Sequence, residues 1–321
     1  MKHYVGIDLG GTNIVTAVVD EKYNIISRSS TKTKGLERTF EVVVADIANT
    51  IYDAVKKAGM RMDDISSIGL GTPSCINPKT GLLVHANSMG WRNVPLYDEL
   101  KKHLDKPLFI KNDADCAALG EVLAGCAGEY KDALVVALGT GIGCGMIMNG
   151  KIFNGCDNMG AEMGHAKLVY DGVLCTCGQK GCFESYASAT ALINQTRDAI
   201  IRNPSSKMKD MCGGDLNKVD GKLAFDAARQ GDSTAIAVID QYVSYLAAGL
   251  STLITIFRPE VILIGGGIGN QGDALLEPLN KRIHALTFAA NQIGVPKAIN
   301  AKLGNDAGII GAAMLELQEK Y

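Results

Sequence analysis

Basic residues are not in excess in this sequence: 32 lysines and arginines face 34 acidic residues, and the formal net charge is −2. A chain with this balance gives no indication of a face that binds nucleic acid. Long apolar runs are also missing. The longest, residues 242–257, contains serine and threonine and is too short to span a bilayer comfortably. No secretory leader precedes the first strand pattern. We therefore expect a cytoplasmic protein that binds neither nucleic acid nor a membrane.

Cysteine is present in an odd number, nine, which does not favour a disulfide framework and suits a reducing compartment. Three of the cysteines follow a histidine within one glycine-rich stretch, giving the set His165, Cys175, Cys177 and Cys182. Thiolate and imidazole are ligands that zinc prefers, and a Cys3His set completes a tetrahedron without water. The stretch predicts a structural zinc site; the alternative is a group of ordinary buried thiols.

Glycine turns follow two apolar strand patterns. Residues 4–9 lead into Gly10-Gly11-Thr12, and a second strand pattern, residues 13–19, follows at once. A dinucleotide fingerprint needs a helix after its glycines, and no G-K-[ST] of a P-loop is present. Backbone N–H groups at such a turn can still approach an anion closely. The alternative is a plain hairpin turn.

The same arrangement recurs later in the chain. Residues 133–138 form an apolar strand pattern, residues 139–143 are G-T-G-I-G, and residues 144–148 return as a strand. One such unit in each half of the chain predicts two similar domains. Two turns that bind anions suit a polyphosphate ligand.

These paired turns resemble the phosphate-binding hairpins of the actin–hexokinase superfamily. Residues 138–184 resemble the signature of the ROK family of bacterial sugar kinases and repressors, in the motifs L-G-T-G-I-G, G-A-E-M-G-H and C-T-C-G-Q-K-G-C-F-E. The resemblance implies an α/β fold of two ribonuclease-H-like domains with duplicated β-hairpin phosphate loops and an interdomain cleft. It implies an N-terminal domain of residues 1–112 plus 306–321 and a C-terminal domain of residues 113–305 that carries the zinc site.

The resemblance further implies ATP-dependent phosphorylation of a hexose hydroxyl, with ATP, Mg²⁺ and structural Zn²⁺ as cofactors and glucose as the first choice of sugar. Asp113 would be the general base; the alternative is a helix N-cap. Asp8 would hold Mg²⁺ near the phosphates; the alternative is a solvated acid. The expected sugar ligands are Asn87, Asn112, Asp113, Glu162, His165 and Glu184. The expected nucleotide-site residues are Asp8, Gly10, Gly11, Thr12, Thr140, Gly141, Gly265, Gly266 and Gly267.

Three alternatives stay open at this stage. The sugar could be allose, fructose, N-acetylmannosamine or N-acetylglucosamine, because Ser74 stands where glucokinases of the family usually carry glycine. The chain could be a sugar-sensing module without turnover. A DNA-binding repressor is disfavoured, because the first hairpin begins within ten residues of the start. By analogy with the family we expect a dimer or tetramer.

Overall fold

The computed structural model describes residues 1–74 and 76–318. Its strands are β1 His3–Leu9, β2 Asn13–Asp20, β3 Ile25–Lys32, β4 Ile65–Thr72, β5 Leu83–Ala86, β6 Trp91–Val94, β7 Leu108–Asn112, β8 Ala133–Leu138, β9 Ile142–Met148, β10 Lys151–Ile152, β11 Val261–Gly265 and β12 Lys297–Asn300. Its α-helices are α1 Phe40–Lys57, α2 Leu96–Lys101, α3 Asp113–Ala124, α4 Glu184–Ala187, α5 Ala189–Arg202, α6 Lys207–Met211, α7 Leu223–Arg229, α8 Ser233–Phe257, α9 Gly266–Gly269, α10 Asp273–Leu286, α11 Ala290–Ile293 and α12 Asp306–Ala313.

Two five-stranded sheets share one strand order. The first runs β3-β2-β1-β4-β7 and the second runs β10-β9-β8-β11-β12. In each, the earliest strand is central, the next two strands lie on one side, and the two later strands lie on the other. Strands β1, β2 and β3 pair antiparallel, whereas β4 and β7 are parallel to β1. The repeated order confirms that the strand–turn–strand pattern of the sequence is duplicated in the fold.

The described chain divides into two compact units. Unit 1 comprises residues 1–133, 145–161 and 302–321, and unit 2 comprises residues 134–144 and 162–301. Residues 319–321, which the predicted N-terminal domain includes, lie outside the described residues. Helix α3 belongs to unit 1 because it packs against α12, whereas the sequence-based boundary placed it in the second domain. That boundary stays a prediction.

Unit 1 covers its sheet on both faces. Helix α1 packs on β2 and β3 and buries the apolar stripe that its sequence predicts, which includes Val43, Ile47 and Ile51. On the other face α12 contacts β1, β4 and α3. This contact is backbone against backbone: a side chain at Gly69 of β4 would overlap the carbonyl oxygen of Ala312. The close approach fixes α12 on the sheet.

Unit 2 is built around α8, which contacts α4, α5, α7 and α10. The Tyr242 hydroxyl, which is fully buried on α8, donates to the carbonyl oxygen of Ala187 at 2.8 Å. By length and composition alone α8 could cross a membrane, and half of its most apolar window is buried inside the protein. The apolar run at residues 242–257 predicts a buried core helix, and the contacts of α8 are those of such a helix.

Several elements differ from the sequence-based expectation. Strands β3, β5 and β6 were not anticipated. The alanine-rich sequence from Glu184 to about Arg202 predicts one helix. The structure breaks it at Ser188, whose hydroxyl accepts from Ala191 N at 3.1 Å and caps α5. The last α-helix ends at Ala313, with a 3₁₀ turn over Leu315–Gln318. Asp306 lies in the first turn of α12, and the cap position is Asn305.

Candidate functional site

Polar side chains of unit 1 meet at the carboxyl edge of its parallel strands. Asp8 of β1 pairs with Gly71 of β4, and Thr72 of β4 pairs with Asn112 of β7. Asp113 follows Asn112 as the first residue of α3. Ligands of open α/β sheets bind at this edge of the strands. The fold therefore brings together the predicted Mg²⁺ ligand, the predicted general base and one predicted sugar ligand.

The Asp8 carboxylate lies in a poorly solvated position. Desolvation raises the pKa of Asp8, and among the described residues no salt bridge to it is found. The buried Cys116 thiol is close enough to feel three carboxylates: desolvation raises its pKa most, and Asp115, Asp113 and Asp8 add to the increase. A divalent cation would relieve this concentration of negative charge, so Asp8 fits the Mg²⁺ role predicted for it.

Asn112 caps α3. Its side-chain oxygen accepts from Ala114 N at 2.8 Å and from Asp115 N at 3.4 Å. Asn112 also has the extended backbone of a cap residue. The helix cap is therefore Asn112 and not Asp113, for which this role was the alternative. Asp113 accepts from Ala114 N at 2.8 Å. Asp115 is 4% exposed and lies 3.4 Å from the Asn154 amide nitrogen.

The first glycine turn is held by residues that the sequence did not single out. Gly10 N donates to Asn13 O at 3.0 Å and closes the turn. Thr33, which is fully buried, donates its hydroxyl to Gly10 O at 2.6 Å and its N–H to Thr12 O at 2.9 Å. No residue pattern marks this role in the sequence, because the residues of β3 that precede Thr33 are mostly serine, threonine and charged side chains. The turn is therefore fixed at both of its ends.

Two further residues of unit 1 had been linked to sugar recognition. Ser74 is buried, and its hydroxyl accepts from His85 N at 3.1 Å. The hydroxyl that departs from the family's glycine is thus engaged with β5. Asn87 is exposed and begins a short 3₁₀ turn, Asn87–Met89. Trp91 is 4% exposed and packs edge-on against Phe40 at 5.0 Å, so it is a core residue.

In unit 2, the second glycine turn is tied to Glu184. Ile142 N donates to Glu184 Oε2 at 2.9 Å, and Gly139 N donates to Gly141 O at 3.0 Å. The other carboxylate oxygen, Oε1, accepts from the Thr176 hydroxyl at 3.1 Å and lies 3.6 Å from Cys175 Sγ. Glu184 therefore connects the turn at Thr140 and Gly141 to the cysteine-rich stretch. Thr176 was missed by the sequence reading, although it lies between two predicted zinc ligands.

The glycines at 265–267 end β11 and begin α9. Gly266 has a φ of +77°, and a side chain on it would come within 2.5 Å of the carbonyl oxygen of Leu138, the last residue of β8. Three glycines after a strand would allow a flat adenine or ribose to lie against the backbone. Here the chain continues into a helical turn, because α9 begins at Gly266. Gly267 has open space around it. These glycines lie next to the strand that leads into the second glycine turn.

The four predicted zinc ligands converge. The ligand atoms of His165, Cys175, Cys177 and Cys182 all lie within 4.8 Å of one another. Cys177 Sγ lies 3.7 Å from Cys182 Sγ, and Cys175 Sγ lies 3.7 Å from His165 Nδ1. A tetrahedral site with Zn–S distances of about 2.3 Å requires sulfur–sulfur separations of about 3.8 Å. The donor set and its spacing fit zinc, with Nδ1 of His165 on the side of the sulfurs.

Charge around this cluster also favours a cation. Burial raises the pKa of Cys182 most, and hydrogen bonds with the Cys177 and Cys175 sulfurs and then their charges raise it further, to about 11. The pKa of Glu162 is raised, mainly by desolvation. The charge of His165 acts to lower this pKa, and the charge of Glu184 acts to raise it. Glu162, His165 and Glu184, which were predicted to bind the same sugar, are therefore within electrostatic reach of one another. The remaining predicted sugar ligands belong to unit 1: Asn87, Asn112 and Asp113.

The chain matches the family model described as ROK family over residues 4–319. The chain belongs to the ROK family. Among its ROK relatives, the glucokinase of Thermotoga maritima is 36% identical over 97% of this chain and 96% of that protein. The N-acetyl-D-glucosamine kinase of Haemophilus influenzae is 30% identical over 98% of this chain and 99% of that protein. A solved ROK glucokinase from Streptomyces griseus, in complex with glucose and AMPPNP, is 31% identical with a TM-score of 0.81, and 98% of each chain is covered.

Proposed function

We propose that this chain is an ATP-dependent sugar kinase that phosphorylates a hexose hydroxyl, with glucose as its substrate. The observation that carries the proposal is the duplicated sheet, in which the β1–β2 and β8–β9 hairpins each end in a glycine turn. The first of these turns adjoins the edge that holds Asp8 and Asp113. Glucokinase relatives at 34–36% identity support glucose, and an N-acetylglucosamine kinase at 30% supports the alternative of an N-acetylhexosamine.

The two glycine turns would bind the nucleotide. In unit 1, Gly10, Gly11 and Thr12 offer backbone and hydroxyl donors to phosphate oxygens. In unit 2, Thr140 and Gly141 do the same. The flat part of the nucleoside would lie at Gly265, Gly266 and Gly267, of which Gly267 has open space around it. Ile142 N already donates to Glu184, so the phosphate donors of this turn are the groups that precede Ile142. Asp8 would hold Mg²⁺, which offsets the charge of the phosphates when bound.

The sugar would be held by amides, carboxylates and one imidazole: Asn87, Asn112, Glu162, His165 and Glu184. Because the oxygen of Asn112 serves as the cap of α3, its NH₂ group is the part that would donate to a sugar hydroxyl. Asp113 would accept the proton of the attacking hydroxyl. The hydrogen bond from Ala114 N fixes one oxygen of the Asp113 carboxylate and orients the group.

The metal cluster would be structural. Zinc bound by His165, Cys175, Cys177 and Cys182 has no open coordination position, so its contribution is to fold the stretch around it. The same zinc would order Glu184 through Cys175 and Thr176. No disulfide joins the eight cysteines that the structure describes, which supports a reducing, cytoplasmic location. We propose a homo-oligomer, small-molecule partners only, and no nucleic acid or membrane partner.

Release of ADP with MgATP across a panel of hexoses and N-acetylhexosamines tests the function. We expect turnover on glucose and a loss of about 10²–10⁴-fold in kcat for Asp113→Asn, while calorimetry finds unchanged affinity for sugar and ATP. Full turnover of Asp113→Asn would remove Asp113 from the mechanism. Sugar binding without turnover on any panel member would instead assign the chain as a sugar-sensing module.

A further inference from the structure

Lys32 lies beside the first glycine turn. It is the last residue of β3 and pairs in register with Asn13, the first residue of β2 after the turn. Side chains of directly paired residues lie on the same face of a sheet, and Lys32 Nζ donates to Asn13 Oδ1 at 2.9 Å. The ammonium group is therefore held next to Gly10, Gly11 and Thr12.

The same face of the sheet carries Asp8. Asp8 pairs with Val15, which is two residues from Asn13, and residues two apart along a strand point to the same side. Four residues earlier in β3, Arg28 also lies on this face and forms two hydrogen bonds to Asp306 of α12, at 2.7 and 2.6 Å. Lys32 is thus on the side of the sheet where the predicted Mg²⁺ ligand lies.

The next two cations along the chain already have carboxylate partners. Lys34 lies 3.8 Å from Glu37, and Arg38 lies 2.6 Å from Asp46. Within residues 1–74 and 76–318, Lys32 has no carboxylate partner, and its hydrogen bond is to a neutral amide. Its charge is therefore available to an anion.

Lys32 is also fixed relative to the turn. The next residue, Thr33, bonds to Gly10 O and Thr12 O, so the end of β3 and the turn move together. Because the backbone that carries Lys32 is fixed next to the turn, less entropy is lost when its side chain contacts an anion there.

We propose that Lys32 is a nucleotide-binding residue that contacts the ATP phosphates at the first glycine turn, with Asn13 as its positioning residue. The inference rests on the proposed function, because it assumes that this turn binds phosphate. Glycine turns supply partial charges from N–H groups, whereas a lysine supplies a full charge. The turn between β1 and β2 supplies the first kind of charge, and Lys32 of the neighbouring strand β3 supplies the second.

The test compares Lys32→Met with Lys34→Met, which removes the ion-paired lysine two residues away. Calorimetry of MgATP and of glucose is done separately on both variants and on the wild type. We expect Lys32→Met to weaken MgATP binding about tenfold, the loss of one exposed charge-assisted contact. Lys34→Met should change it by less than about twofold by the same reasoning. Neither variant should alter glucose affinity, and Lys32→Arg should restore MgATP binding.

Measurements at several ionic strengths, and a variant of Asn13, distinguish a loss of charge from a structural effect of the Lys32 substitution. The defect of Lys32→Met should shrink as ionic strength rises, because salt screens an exposed charge. Asn13→Ala should weaken MgATP binding by a smaller factor. Equal MgATP affinity in Lys32→Met and wild type, with kinase activity intact, overturns the Lys32 assignment alone. A wild type that binds no MgATP overturns the proposed function and this inference with it.

Discussion

Ile142 N donates to the Glu184 carboxylate at 2.9 Å, so one side chain joins a glycine turn to a cysteine cluster. Glu184 Oε1 faces Thr176 and Cys175, while Oε2 faces the turn. The carboxylate therefore transmits the position of the cluster to the turn. If Glu184 binds the sugar, the position of its carboxylate depends on both the glycine turn and the cysteine cluster.

Gly141→Ala should disturb this connection, because a Cβ at Gly141 would overlap Glu184 Oε2. We expect the melting temperature to fall and kinase activity to drop at least about tenfold, since the loss of a hydrogen bond to a charged group costs about 1.5–3 kcal/mol. Gly139→Ala is the matched control, because a Cβ there has open space. Similar thermal melts and activities for the two alanine variants would contradict the role of Glu184.

Asn112 is expected to have two separable roles. Asn112→Ala removes the cap of α3 and should cost about 0.5–2 kcal/mol of unfolding free energy, measured in urea. Asn112→Asp keeps the oxygen acceptor and adds a negative charge at a helix N-terminus, where it is favourable. This variant should retain stability and lose sugar affinity, because its NH₂ donor is gone. Wild-type sugar affinity in Asn112→Asp would leave Asn112 as a cap alone.

The purified protein should contain about one zinc per chain, as four protein ligands complete a structural site. Chelation should lower the melting temperature, because metal binding to such a site is coupled to folding. Cys177→Ser should reduce zinc content in elemental analysis, whereas Cys156→Ser, outside the cluster, should not. If the wild type contains no zinc and its melting temperature does not change on chelation, the proposal of a structural zinc site is wrong.

Asp232 should make stability depend on pH. Burial alone would raise the pKa of Asp232, but hydrogen bonds from Ala235 N, Lys207 N and Ser206 outweigh it, and the pKa is lowered. A carboxylate with a lowered folded-state pKa stabilises the fold above its unfolded pKa, and this contribution disappears as pH falls through the folded value. Asp232→Asn should therefore be destabilised by about 1–3 kcal/mol at pH 7.

Urea unfolding from pH 3 to pH 8 checks this sign. The difference between wild type and Asp232→Asn should be constant near neutral pH and should shrink once the pH drops below the ordinary value of 3.8. Asp226→Asn, an exposed acid paired with Arg229, should show little difference at any pH. A difference that grows on acidification would mean that the hydrogen bonds do not favour the charged form.

Periodicity and turn residues predicted much of the fold. The hairpin at Gly10 and Gly11, the apolar stripe of α1 and the length of α8 follow from local pattern. The spacing of one histidine and three cysteines indicated the metal ligand set that the fold brings together. Strand β3 was missed because it is an edge strand whose residues are largely serine, threonine and charged side chains. Such a segment has no apolar run to mark it.

Other differences depend on contacts between distant residues. The break at Ser188 coincides with a hydrogen bond from Ala189 N to Gly139 O at 2.9 Å, which joins residues 50 positions apart in the sequence. The connection between Glu184 and Ile142 spans 42 residues. Local propensity carries no information about either. A helix cap was the alternative role for Asp113, but the cap of α3 is Asn112. Local pattern does not distinguish the two positions, because asparagine and aspartate are nearly equivalent as caps.

The position of α12 affects the order in which the chain can fold during synthesis. Residues 306–313 pack on β1, β4 and α3 of unit 1, yet they are translated after every residue of unit 2. Domains generally complete their folding in the order in which they leave the ribosome. Unit 1 therefore begins to be synthesised first but completes its contacts last. The face of its sheet that packs against α12 lacks this helix until residues 306–313 have been synthesised.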